Sequence, residues 1–142
     1  MKKNVLELKA GQKFIILGTD SNHNYAEVTF VENTAISHGL FVQSDFTVNI
    51  DGVPVDIYMT QATINQDQPL NKPVRLMAYD HDYDTMYFGG KEFMIGESIE
   101  DCVNTYSDFL ALQIEYKRLE VAEMEKRRAN VIAELHNEFK LA

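Results

Sequence analysis

Between Ser44 and Met59 apolar and polar residues alternate on both sides of Asp51-Gly52. That dipeptide readily takes the two positive φ values of a tight two-residue turn. Such a turn pairs Ile50 with Val53, Val48 with Val55, Phe46 with Ile57 and Ser44 with Met59 on one face. The other face pairs Asn49 with Pro54, Thr47 with Asp56 and Asp45 with Tyr58. The first face is almost wholly apolar and the second mostly polar, so a slip of one residue would put each group on the wrong side. Pro54 cannot donate to a ladder and belongs at an edge or a non-bonded position.

Other segments read the same way. Lys13–Leu17 and Tyr25–Val31 are strand-like runs separated by the polar loop 19–24, and Glu32–Gly39 reads as a loop leading to a strand that starts near Leu40. Val74–Tyr79 is a further strand, with Asp80–Asp84 as its exit. Met86–Phe88 and Lys91–Ile95 flank Gly89-Gly90, which permits a second tight reversal. Short connections favour adjacent antiparallel pairing, so a sheet of about six to eight strands is expected, as a small sandwich or partly closed barrel. Thr60–Pro73 has no sustained apolar period and reads as a long crossover loop, mobile or binding.

All seven glycines and all three prolines fall within residues 1–96, and residues 97–142 have neither. The texture changes there from strand to helix. Ser98, with Asp101 three residues on, forms a capping-box pattern, and Glu97 and Glu100 suit the positive end of a helix dipole. An uninterrupted helix would reach roughly 60 Å. At helical spacing Ile99, Val103, Tyr106, Leu110, Ile114, Val121, Met124, Ile132, Leu135 and Phe139 form one stripe, which Lys117 and Arg128 interrupt. Cys102, Phe109, Leu112, Tyr116 and Leu119 form a second stripe on the first half. The first half should therefore pack on two sides. The second should pair with a copy of itself, or fold back after a break near 126–130. The expected class is α+β: an antiparallel β domain at 1–96, then an amphipathic oligomerisation helix at 97–142.

Composition narrows the possibilities. The 142 residues are 45% hydrophobic and 25% charged, which argues against wholesale disorder. No apolar run is long enough to span a bilayer, and the polar N-terminus lacks a signal-peptide core. A lone cysteine, Cys102, forms no internal disulfide or multi-cysteine zinc site. A soluble cytoplasmic protein is the expectation. Net charge −9 repels nucleic-acid backbones, so no duplex partner is expected.

Candidate chemistry is sparse. Asp80-His81-Asp82-Tyr83-Asp84 resembles the opening of a calcium loop, but Thr85 stands where glycine is needed and Lys91 where a bidentate Glu is needed. His23, His38, His81 and His136 have no partner at metal-ligand spacing. Cys102 near the helix start could be an activated thiolate, or a structural thiol on an apolar face. No hydrolase elbow, phosphate loop or dinucleotide fingerprint occurs. No cofactor or metal is expected, and no catalytic residue.

One binding constellation remains. Tyr79, Tyr83, Tyr87, Phe88 and Phe93 gather five aromatic rings in fifteen residues, and Arg75 lies just upstream. Strand alternation would set Arg75 and Tyr79 on one face. Aromatic planes beside a guanidinium suit a nucleobase with its phosphate; the same rings could instead be core or oligomer contacts. Lys117, Arg118 and the cluster at 126–128 sit among glutamates at ion-pair spacing, yet could converge in an assembly. The reading is a non-catalytic homo-oligomer that holds a small anionic, nucleotide-like ligand through Arg75, Tyr79, Tyr83, Tyr87, Phe88, Lys117 and Arg118. In design class it is like virus-encoded antagonists of host immunity that sequester nucleotide signals. The alternatives are a protein–protein inhibitor or assembly factor docking through the helix or the 60–73 loop, and an enzyme with an unfamiliar acidic site.

Overall fold

The computed structural model describes residues 4–20, 23–63, 70–79, 88–89 and 91–141. The strands are β1 (Lys13–Gly18), β2 (Tyr25–Ile36), β3 (Phe41–Ile50), β4 (Val53–Ala62), β5 (Val74–Arg75), β6 (Met77–Ala78) and β7 (Glu92–Gly96), followed by one helix, α1 (Ile99–Phe139). The fold is α+β, as the change of texture predicts. Residues 1–107 and 108–142 form two compact units.

The seven strands form one antiparallel sheet in the order β5-β7-β1-β2-β3-β4-β6. The two edge strands, β5 and β6, are separated in the chain by Leu76 alone. Two virtual bonds span about 7 Å, so the opposite edges must approach one another and the sheet curls into a half-barrel. Leu76 is fully buried. The single strand expected over Val74–Tyr79 is thus two short ones that change partners at this residue, β5 pairing with β7 and β6 with β4.

The β3–β4 hairpin pairs in the register that its alternation dictates, from Ser44 opposite Met59 to Ile50 opposite Val53. Asp51 and Gly52 carry φ values of 52° and 83°, the two positive values that the two-residue turn requires. Pro54 lies opposite Asn49, and β6 reaches only Ile57 and Tyr58, so the proline sits where β4 has no second described neighbour.

The expected loop at Glu32–Gly39 is a correction. β2 continues to Ile36, because a bulge between Phe30 and Glu32 shifts the register by one and leaves Val31 exposed. The polar run after the bulge still pairs with β3, and a β-bulge disguises such a strand by breaking its period of two. β4 likewise runs three residues past Met59 to Ala62. β7 pairs with β1 and β5; most of the arm expected to pair with it, Met86–Phe88, falls outside the described residues.

Inward-facing Phe14, Ile16, Val28, Phe30, Val42, Phe46, Val48, Val55, Ile57 and Met59 fill the curl, with Leu70 and Leu76 among them. Phe30 and Phe46 meet edge-on at 5.5 Å. Ser44, the buried polar residue among them, donates its hydroxyl to Asn33 Oδ1 at 2.6 Å, and Asn33 Nδ2 donates to the Val5 carbonyl at 3.0 Å. That chain of bonds holds a 3₁₀ turn (Val5–Glu7) whose Val5 and the following Leu8 are buried in the core.

The capping box forms at the start of α1. Asp101 N–H donates to Ser98 Oγ at 3.0 Å, and Asp101 Oδ2 accepts from Glu97 N–H at 2.8 Å. α1 then runs unbroken to Phe139, so the break considered near 126–130 is absent: no glycine or proline interrupts the ladder there. Within residues 99–107 Cys102 is buried while Ile99 and Val103 are exposed; Leu112, Tyr116 and Leu119 of the expected second stripe are exposed as well.

Gly96 is where β7 gives way to the helix start. A Cβ there would lie 2.8 Å from Asp101 Oδ2, 2.8 Å from Cys102 Sγ and 3.0 Å from Cys102 N. Gly96→Ala must push the capped first turn off the sheet. The expected cost is about 2 kcal/mol, seen as a lower urea midpoint with an unchanged m value.

Candidate functional site

The two ends of the curled sheet differ. At the end carrying Asn33 the 3₁₀ turn closes the interior. Some seven residues back along β2, about 23 Å at strand rise, lies Ala26, next to the β1–β2 loop and the β3–β4 turn. No comparable plug sits there among the described residues. A cavity of about 420 Å³ opens instead, with a floor and walls of Ile16, Ala26, Val48, Ile50, Phe88 and Phe93 and a rim of His23, Asn24, Tyr25, Asn49 and Asp51. This volume falls in the range of small-molecule sites, and an apolar interior with a few polar groups at the mouth is their usual chemistry.

Local geometry fixes the rim. Gly18 N–H donates to the Asn24 carbonyl at 2.7 Å, closing the β1–β2 loop, and His23 takes a left-handed φ of 48° with Nδ1 3.4 Å from the Gly18 carbonyl oxygen. Asn49 and Asp51 are set by the turn described above. Inside, the Phe88 and Phe93 rings are 5.7 Å apart and inclined at 47°. Both are almost fully buried and form part of an apolar wall, while Asn24 and Asn49 are polar residues at the mouth. The described lining contains no lysine or arginine.

A second polar constellation lies on the outer face of β3, β4 and β6. Tyr79 Oη donates to Asp45 Oδ1 at 2.9 Å, and Gln43 Nε2 donates to Asp45 Oδ1 at 3.0 Å and to Tyr79 Oη at 2.5 Å. The Tyr58 ring packs against Tyr79 at 4.7 Å. Desolvation, and then the hydrogen bond and negative charge of Asp45, push the Tyr79 hydroxyl up to about 12. It is thereby a firmly protonated donor committed to its neighbours.

Cys102 resolves to the structural alternative. It is fully buried, with Sγ 3.5 Å from the Ile15 carbonyl oxygen and 3.7 Å from that of Met94, and burial followed by the Asp101 charge raises its pKa to about 11. A thiol held in that state is inert rather than activated.

The structure places the remaining sequence-derived candidates as follows. Phe88 joins the cavity. Arg75 is exposed on β5 opposite Glu92, at the other sheet edge from β6 and Tyr79. Alternation does hold through this segment, with Val74, Leu76 and Ala78 buried and Arg75 and Tyr79 exposed. Tyr83, Tyr87 and the acidic run Asp80–Asp84 lie outside the described residues. Lys117 and Arg118 are exposed on the helical unit. His23, Asn24, Tyr25 and Asn49 were not legible in the sequence because only the topology brings the β1–β2 loop, the start of β2 and the end of β3 together. Among the described residues no group of three or more His, Cys, Asp or Glu is placed to hold a metal ion, and no helix is long and apolar enough to cross a membrane. Compared with protein-family models, curated proteins and solved structures, the chain matches none of the three.

Two outcomes test this geometry. Because folding raises the Tyr79 pKa above its ordinary 10.0, the folded chain binds more protons between about pH 10 and 12. Its contribution to stability is complete below pH 10 and is lost as pH rises through that window. Urea midpoints at pH 9, 11 and 12 should therefore fall less for Tyr79→Phe than for the parent. Alkylation of Cys102 at pH 8 should track global unfolding, being slow in buffer and rapid in denaturant.

Proposed function

We propose that this chain is a non-catalytic, self-associating protein that captures a small planar ligand, the base of a nucleoside or nucleotide-derived molecule, in the cavity at the open end of its sheet. The observation that carries the reading is the cavity itself: about 420 Å³, walled by two phenylalanine rings and rimmed by two asparagines. Stacking surface plus amides that both donate and accept is a chemistry that holds a heterocycle edge and face at once.

The cavity shifts the ligand from the one the sequence suggested. Its titratable described lining residues are His23, Tyr25 and Asp51, with no lysine or arginine, so recognition led by phosphate finds no support in it. Arg75, Lys117 and Arg118 belong to no described part of this lining. A nucleotide signal would be taken by its base, with its phosphate left towards solvent. Capture without turnover is what a sponge-type antagonist of host immunity requires, and that role is part of this proposal.

The test is thermal-shift titration with the four common nucleosides, their monophosphates and cyclic dinucleotides. Ligand at a hundred times its Kd stabilises by about 2.7 kcal/mol, a shift of several degrees. The expected result is a shift with at least one nucleoside, at least as large as with its phosphorylated form, and abolished by Phe88→Ala. A shift confined to phosphate-bearing ligands, or none with any member of the panel, would overturn it.

A further inference from the structure

The long stripe of α1 has an internal order that points to its occupant. Ile99, Leu110, Val121 and Ile132 recur at intervals of eleven residues. Eleven residues are close to three turns of an α-helix, so this seam stays on one side of a nearly straight helix, without the left-handed drift of a heptad. All four side chains are exposed, between 42% and 52%. Ile99 and Val103 are uncovered even in the turns where Cys102 is buried, so the seam is open from its first residue. Water disfavours so long an apolar line.

Two cations interrupt the line, Lys117 and Arg128, again eleven apart. They decide between the ways two copies could meet. In a parallel, in-register pair every residue faces its own copy, so Lys117 meets Lys117 and Arg128 meets Arg128. Two like-charge layers would be drawn out of water within one seam, a costly arrangement. An antiparallel pair centred on Val121 sets residues at equal distances before and after that point opposite each other. Leu110 then faces Ile132, Val103 faces Phe139, and Ile114 covers the stem of Arg128. Lys117 faces Glu125, so the seam's lysine meets a carboxylate of the opposite chain. Moving the centre by half a turn, so that Leu110 faces Leu135, brings Lys117 onto Arg128 instead.

We infer that α1 is an interaction surface for a second copy of this chain, running antiparallel with Val121 on the two-fold axis. The inference deepens the self-association in the proposed function and does not depend on the cavity's ligand.

Cysteine cross-linking of the full chain reads the arrangement directly, with circular dichroism confirming that each variant is folded. Val121→Cys should form a disulfide dimer under mild oxidation. Leu110→Cys alone and Ile132→Cys alone should stay uncrosslinked, while a mixture of the two forms the mixed dimer. Lys117→Glu should raise the dimer dissociation constant about tenfold, equivalent to about 1.4 kcal/mol, and adding Glu125→Lys should restore it. Self-crosslinking of Leu110→Cys would overturn the antiparallel register and leave self-association standing. A monomer by light scattering, with no Val121→Cys dimer, would overturn both. The cavity reading is judged separately by its own titration.

Discussion

One covalent constraint organises the sheet. β5 and β6 lie at its opposite edges, yet the chain gives them Leu76 alone as a connection. A flat sheet of seven strands would hold those edges tens of ångströms apart at the usual strand spacing. The polypeptide forbids that separation, so the sheet curls. The fully buried Leu76 side chain lies at the meeting of the edges, and hydrophobic burial there acts in the same direction as the chain. Curling in turn creates an inside, which Phe46, Ile57 and their neighbours fill, and two ends. One end is closed by the 3₁₀ turn that Asn33 and Ser44 tie down, and the other opens on the cavity. A cavity at this position follows from closure rather than from any local motif.

That order of causes explains what the sequence could reveal. The β3–β4 hairpin was legible to the residue, because turn chemistry and alternation are local and agreed with each other. The helix and its cap were legible for the same reason, in Ser98, Asp101 and the absence of glycine and proline beyond Gly96. β2 was half legible: its bulge at Val31 broke the alternation, and the polar residues that follow read as loop although they pair with β3. Alternation correctly put Arg75 and Tyr79 outward but could not reveal that the strand changes partners between them. The cavity was illegible, since His23 and Asn24 come from the β1–β2 loop, and Asn49 and Asp51 from the end of β3 and the turn after it. Only the pairing of β1 with β2 and β2 with β3 makes them neighbours.

The cavity and the helix also divide the chemistry of the chain between them. Much of the apolar and aromatic surface in the β unit is turned inward, where it supports the fold and walls a cavity, while Tyr25, Leu40, Phe41, Val53 and Tyr79 are exposed. In the helical unit it is turned outward along a line that no described part of the chain covers. Proximity to Arg75 therefore does not by itself mark a ligand site: Tyr79 is bound to Asp45 and Gln43, while Phe88 and Phe93 are core rings that also wall the cavity.

Long-range electrostatics favours the same conclusion about the ligand as the cavity's walls. A chain with 22 acidic and 13 basic residues carries a net charge of −9, and its field opposes the approach of anions. Capture of a polyphosphate would need a local concentration of cations strong enough to reverse that field. In the described β unit the cavity lining provides none, and in the helical unit Lys117, Arg118 and the run Lys126-Arg127-Arg128 sit among glutamates at ion-pair spacing. A heterocycle without charge meets no such barrier, and its affinity would come from burial against Phe88 and Phe93 and from amide hydrogen bonds, none of which the net charge weakens. On the proposed reading, the acidic surface would favour an uncharged ligand over the phosphorylated ones that share its base.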